Sequence, residues 1–291
     1  MKPLLSNNEL FSLLQTIQQS HKIVICAHRG PDGDAVGSSL GWAEYLTQLG
    51  KKVTVVLPNP FPDFLRWLPN SHLIQYYCRH EANASAIINE ADLIFCLDFN
   101  GLSRLQEMQG VVARAKADKI IIDHHIDPDT KVAKQVISFP NMCATSEIIF
   151  RLIYQLGGFE SMTLGGATCL YTGMMTDTGC FTYNSNNPEI YEVISLLLTK
   201  GIDKDKIYRN VFNVYSVDRM RLTGYILYEK LKFYANNRAS IYTLTRSEMK
   251  RFNFIRGDAE GLVNMPLQVK GMRLSISLRE DTERDVIRVS L

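Results

Sequence analysis

Eight residues carry most of the chemistry available to this sequence. His28, Asp32 and Asp34 fall within seven positions of one another in VICAHRGPDGDAVGSSLG, residues 24–41. Asp98 follows the run LIFCL, Asp123, His124 and His125 close the run KIII, and Asp177 lies in MMTDTGCF. Carboxylates crowded together repel and raise one another's pKa, so such a group is costly unless cations sit between its members. Imidazole mixed with carboxylate, without thiolate, suits Mn²⁺, Fe²⁺, Co²⁺ or Zn²⁺ better than Mg²⁺ or Ca²⁺, which prefer oxygen shells. A bridging aspartate with a ligand set on either side makes a two-metal centre about 3.5–4 Å across, a clamp for a phosphoryl group. The chemistry implied is phosphoester hydrolysis.

The elements that must position these residues are short, uniformly apolar runs: KIVICA (22–27), VTVVL (53–57), DLIFCL (92–97) and KIIID (119–123). Runs of this kind suit strands buried on both faces of a parallel sheet, so the fold class is α/β, a doubly wound, largely parallel sheet. In such sheets, sites form outside the carboxyl ends of the strands, which brings His28, Asp32 and Asp34, then Asp98, then Asp123, His124 and His125 to one rim. Helical spacing is predicted from Val36 to Leu49, with Gly50 as a stop, and again after Thr145 and after Thr163. Asp177 falls near the end of the last of these. Asn187 and Pro188 introduce a further helix that ends near Gly201.

A chain of 291 residues is long for one core and comfortable for two. The organisation predicted is a first domain over 1–200, a charged helical linker over 201–235, and a second, smaller α+β domain over 236–291. In that last part, ASIYTLTR, MRLSISLRE and DVIRVSL alternate polar and apolar residues, as strands with one wet face do. With 46% hydrophobic residues, 21% charged residues and a net charge of +2, the composition is that of a globular protein. It argues against disorder and against duplex nucleic acid as a stable partner. Six cysteines without a C-x-x-C pair read as reduced thiols, and no run approaches the roughly 20 apolar residues of a membrane span. The expectation is a cytoplasmic protein with no membrane partner.

AHRGPDGDAVGSSL, LDFN, DHH and TGMMTDTG occur in that order and resemble the four motifs of the DHH-family phosphoesterases. That superfamily spans RecJ-like exonucleases, oligoribonucleases (nanoRNases), pAp phosphatases and manganese pyrophosphatases. The motifs cover about residues 1–190, and GDAEGLVNMPLQVKGMRLSISLRE, residues 257–280, is similar to the opening of the DHH-associated C-terminal domain of nanoRNases. The resemblance implies one metal held by His28, Asp32 and Asp98 and another by Asp34, Asp98, His124 and Asp177, with Asp98 bridging. It implies two divalent ions, Mn²⁺ by preference, and attack by a metal-bridging hydroxide in line with the leaving oxygen. His125 matches the family histidine that meets the scissile phosphate, and Asp123 a supporting position that orients an imidazole. The substrates implied are short single-stranded RNA or a small phosphorylated nucleotide such as pAp. Pyrophosphate or polyphosphate hydrolysis, or metal-dependent nucleotide binding without catalysis, are the alternatives. A homodimer is also consistent with the resemblance.

Two departures from the family pattern stand out. Arg29-Gly30 occupies positions where an asparagine is usual before PDGDA, and touches no implied ligand. The sequence also stops at Leu291, before the Arg-Ser pair and GGGH loop that hold a terminal phosphate in nanoRNase-like relatives, so the C-terminal domain is expected to be incomplete. Arg279 in SLRE and Arg104 in GLSRL are the remaining candidates for a substrate phosphate. Each is weighed against an ordinary solvated or carboxylate-paired arginine.

Competing motifs explain less. GSSLG (37–41) fits a nucleophile elbow, with Ser39, Asp98 and His124 in hydrolase order, yet about ten polar residues separate Ser39 from its strand. DGDAV resembles an aspartyl-phosphate loop but leaves DHH without a role. His21, His72 and His80 lack partners in sequence and are assigned to the surface.

Overall fold

Why the apolar runs became strands is visible in their burial: in β1 (Lys22–Ala27) every residue but the first is buried, and in β4 (Leu93–Leu97) all five are. The computed structural model describes residues 1–255, 257–259 and 261–291. Glu260, in the stretch likened to a DHH-associated domain, therefore lies outside the described residues. The chain divides into two units, Met1–Val211 and Phe212–Leu291.

The first unit runs α1 (Asn7–Gln19), β1, α2 (Gly33–Gln48), β2 (Lys52–Leu57), β3 (Gln75–Tyr76), α3 (Glu81–Asn89), β4 and α4 (Gln109–Arg114). It continues with β5 (Asp118–Asp123), β6 (Gln135–Ser138), α5 (Thr145–Gln155), α6 (Leu164–Asp177), α7 (Pro188–Thr199) and α8 (Lys204–Phe212), whose last residue falls at the boundary. Its six strands form a parallel sheet in the order β3-β2-β1-β4-β5-β6 with helices on both faces, the doubly wound α/β class expected. The chain moves outward from β1 to β3, then returns to lay β4 beside β1. The topological switch point, where such sheets open a crevice, is therefore between β1 and β4.

The sequence pattern identified four of the six strands. The two it missed, β3 and β6, lie at the sheet edges, are two and four residues long, and are mostly half-buried. A short strand with neither a continuous apolar run nor clean alternation carries no periodic signal.

Alternation within each strand sorts the core into two layers. Val24, Cys26, Ile94, Cys96 and Ile121 face a cluster with Ile88, Met108 and Val112. On the other side Phe95 meets Trp42 of α2 edge-on, ring centroids 5.3 Å apart. α2 is buried over most of its length, Gly33 to Trp42 without a break. An all-round apolar helix of this kind belongs in an interior.

The second unit runs α9 (Val217–Tyr225), a π-helical turn (Ile226–Lys230), β7 (Lys232–Tyr234), β8 (Ala239–Leu244), α10 (Arg246–Arg251), β9 (Leu274–Glu280) and β10 (Ile287–Ser290). The sheet order is β10-β9-β8-β7, with β8 and β9 parallel and both outer pairs antiparallel. Its core is small: Leu222, Ile226, Tyr242, Leu244, Met249 and Leu262. β8 shows the expected wet face, with Ser240, Tyr242 and Leu244 buried and Thr243 exposed, but all four residues of β10 are exposed. β10 is an edge strand beyond the small core, so its alternation does not translate into burial. Thr245 and Glu248 close a capping box on α10; Lys230, Tyr225 and Thr245 outweigh the partial burial of Glu248 and hold its carboxyl down at about 2.

The segment expected as a linker, 201–235, contributes α8 to the first unit and α9 to the second. Among the described residues no helix is long and apolar enough to cross a membrane.

Candidate metal centre

Three neighbouring strands and two helices deliver the clustered residues. His28 follows β1, and Asp32 is the N-cap of α2: its Oδ1 accepts from the N–H groups of Asp34 and Ala35 at 3.0 Å each, which leaves Oδ2 turned toward His28. Asp34 sits in the first turn of α2. Asp98 follows β4 in a left-handed conformation, φ +63°, while its N–H still donates to the Ile122 carbonyl of β5. A non-glycine residue held there stores strain, which persists only where the surroundings impose it. Asp123 ends β5, His124 and His125 come next, and Asp177 is the last residue of α6.

The side chains converge. His28 Nε2 lies 3.4 Å from Asp98 Oδ2 and 3.8 Å from Asp32 Oδ2. His124 Nε2 lies 3.6 Å from both Asp98 Oδ1 and Asp177 Oδ2. Among the described residues, potential ligand atoms within 4.8 Å of one another form three overlapping groups: His28, Asp32 and Asp98; Asp34, His124 and Asp177; and Asp98, His124 and His125. Asp98 thus stands between the two ligand sets that the family resemblance implies, with one oxygen toward each.

The electrostatics are those of an anion cluster short of positive charge. Burial, then the charges of Asp98 and Asp177, push the Asp34 carboxyl well above its usual range. Partial withdrawal from water, with Asp98 and Asp32 nearby, carries Asp177 up to about 6 against the opposing pull of His124. Burial would also raise Asp98, but His28, His124 and His125 around it outweigh that and hold it low. Burial acts to lower His28, yet the carboxylates of Asp98 and Asp32 win and bring it up to about 9.

The donor set fits a divalent ion. His28 Nδ1 is 3.1 Å from the Arg29 carbonyl and His124 Nδ1 is 3.4 Å from the Met142 carbonyl. With Nδ1 directed at a carbonyl, each ring turns Nε2 toward carboxylate oxygens, the edge that a metal takes when it displaces a proton there. Separations of 3.4–3.8 Å exceed an N–H···O hydrogen bond but match two ligands sharing a cation.

A supporting layer, most of which sequence reading did not single out, fixes these groups. Asp34 Oδ2 accepts from Thr145 N–H at 2.6 Å and Oδ1 from Ser146 N–H at 2.8 Å, so a carboxylate on α2 caps α5. Thr145 Oγ1 donates to Asp98 Oδ1 at 3.1 Å. The sequence signalled TSE only as a helix start. Close packing of α2 on α6 brings Asp34 toward Asp177, since a Cβ at Gly37 would lie 2.5 Å from the Cys169 carbonyl oxygen; α5 packs as tightly on α6, where a Cβ at Gly173 would lie 2.0 Å from Ser146 Oγ. The spacing Gly33, Gly37, Gly41 was the available signal for this bare face. Asp123 is fully buried, and its Oδ1 holds His125 Nδ1 at 2.7 Å.

Arg104 is exposed in the 3₁₀ turn Leu102–Met108; its carbonyl accepts from Arg29 N–H at 2.8 Å, and its charge acts on His125. Arg279 lies on β9 of the second unit, half-buried over the Phe254 ring at 5.2 Å and paired in register with Arg288. Ser39 is fully buried and donates to the Ala35 carbonyl one turn back at 2.6 Å, which removes it as a nucleophile. His21, His72 and His80 are exposed.

Residues 22–174 match the profile of the DHH family, N-terminal domain. The bifunctional oligoribonuclease and PAP phosphatase NrnA of Thermus thermophilus is 33% identical over 180 residues, 62% of this chain and 50% of that protein. The protein of the same name from Bacillus subtilis is 23% identical over 280 residues, 95% of this chain and 83% of the relative. The chain spans about half the length of the Thermus relative. Among solved structures, an exopolyphosphatase-related protein from Bacteroides fragilis superposes with a TM-score of 0.95 at 47% identity, covering 99% of this chain and 84% of that one. A putative family II inorganic pyrophosphatase from Methanococcus jannaschii shares the fold, with a TM-score of 0.51 and 16% identity over 89% and 83% of the two chains.

Proposed function

The chain belongs to the DHH family, and from that premise we propose that it is a divalent-metal-dependent phosphohydrolase acting on short oligoribonucleotides or nucleotide 3′-phosphates such as pAp. The observation that carries the reading is the approach of His28 and His124 Nε2 to the two oxygens of one buried aspartate, Asp98. His28, Asp32 and Asp98 would hold one ion, and Asp34, Asp98, His124 and Asp177 the other. Divalent ions there would neutralise the carboxylates and act as Lewis acids toward the phosphoryl oxygens and the attacking water.

The remaining work falls to the chain's own groups. Asp123 holds His125 by Nδ1 and raises its pKa, which favours the charged imidazolium and leaves Nε2 free to meet a phosphoryl oxygen. From there His125 would stabilise developing charge and pass its proton to the leaving oxygen. Arg104, exposed and acting electrostatically on His125, would hold a substrate phosphate; Arg279 is the corresponding candidate in the second unit. Relatives named for oligoribonuclease and PAP phosphatase activity support the nucleotide substrates, and a cytoplasmic setting suits them. Manganese is the proposed metal on donor chemistry.

The name of the Bacteroides relative favours a second reading, pyrophosphate or polyphosphate hydrolysis at the same centre. Manganese-loaded protein assayed in parallel on a short RNA, pAp and pyrophosphate separates the two. Release of mononucleotide or AMP, abolished by EDTA and restored by manganese, is the expected result; turnover of pyrophosphate alone overturns the nucleotide assignment.

A further inference from the structure

Asp98 must offer one oxygen to each ligand cluster, yet the terminal torsion of an aspartate is broad and does not select that orientation by itself. Something must fix it. Oδ2 faces His28 Nε2 at 3.4 Å, while Oδ1 lies 3.6 Å from His124 Nε2 and accepts the hydroxyl proton of Thr145 at 3.1 Å. Of these contacts the last has hydrogen-bond geometry. Thr145 is fully buried and opens α5, a helix whose own N-cap, Ala144, has no side-chain oxygen to offer. Asp34 supplies that cap, and the Thr145 N–H is one of the two amides it accepts.

We infer that Thr145 is a positioning residue that apportions the Asp98 carboxylate between the two ligand clusters. Its hydroxyl anchors Oδ1 on the His124 side so that Oδ2 remains with His28, and its backbone N–H ties Asp34 into the same frame. The inference rests on the metal-centre reading above. Without the hydroxyl, the backbone hold on Asp34 survives but the carboxylate of Asp98 is free to rotate. The cost should then fall on the paired occupancy of the centre rather than on the fold.

The test compares wild type, Thr145→Val and Thr145→Ser, stripped of metal and titrated with manganese chloride by calorimetry. Electron paramagnetic resonance at two equivalents of Mn²⁺ supplies a readout independent of turnover. Wild type is expected to bind two ions with an exchange-coupled spectrum. T145V should lose about tenfold or more in affinity for the weaker ion and show uncoupled Mn²⁺, the range expected when an outer hydrogen bond to a ligand is removed. T145S should restore coupling and affinity to within about threefold. T145V with wild-type affinity and coupling, or T145S as impaired as T145V, overturns the inference. Should T145V fail to melt cooperatively, Thr145→Ala against Thr145→Ser decides by the same criterion. Wild type that binds no Mn²⁺ overturns the metal-centre reading and this inference with it, whereas two coupled ions in every variant overturns this inference alone.

Discussion

His125 and Asp123 show how one hydrogen bond can separate a reacting group from a ligand. His28 and His124 direct Nδ1 to carbonyls and Nε2 to carboxylates, but His125 spends Nδ1 on the buried Asp123, and its side chain is 40% exposed. The proposed division of labour follows: two imidazoles for metal, one for the phosphoryl group. His125→Ala is therefore expected to cut kcat by about 10²–10⁴ while bound manganese, measured by atomic emission, stays at the wild-type level. A fully active H125A protein would remove His125 from the mechanism, and a metal-depleted one would make it a ligand.

At the scale of elements, the centre depends on how closely α2 and α6 approach. Gly33, Gly37 and Gly41, four residues apart, present backbone rather than side chain to α6, and the atom beneath Gly37 is a carbonyl oxygen that cannot swing aside. Gly37→Ala is expected to force the helices apart and destabilise the protein by about 1–3 kcal/mol, read as a lower urea midpoint. Because Asp34 and Asp177 ride on these helices, manganese affinity should fall with it. Wild-type stability and affinity in G37A would mean that α6 can yield without cost.

For the molecule as a whole, a net charge of +2 leaves no general attraction for polyanions, so recognition must be local to the site. Fluorescence anisotropy with a labelled duplex at ~0.15 M salt should show no binding tighter than about 10⁻⁵ M; tight, salt-sensitive duplex binding would contradict the proposed preference for short single strands and small nucleotides. Much of this protein was legible before folding. Uniform apolar runs specified the buried strands β1, β4 and β5, and finding His28, Asp98 and Asp123 at or just past their ends put the site at the carboxyl rim, because strand ends and side-chain types are local properties. The edge strands β3 and β6 were not legible because they are too short to carry a period, and the exposure of β10 was not because it lies beyond the small core of its unit. Nor was the supporting layer. That Asp34 caps α5 across 111 residues, that Thr145 reaches Asp98, and that Gly37 admits α6 are consequences of packing, which no local pattern encodes. The sequence by itself determined which groups are available and which rim they occupy; only the tertiary structure decided which oxygen faces which imidazole, because those distances are set by helices brought together from separate parts of the chain.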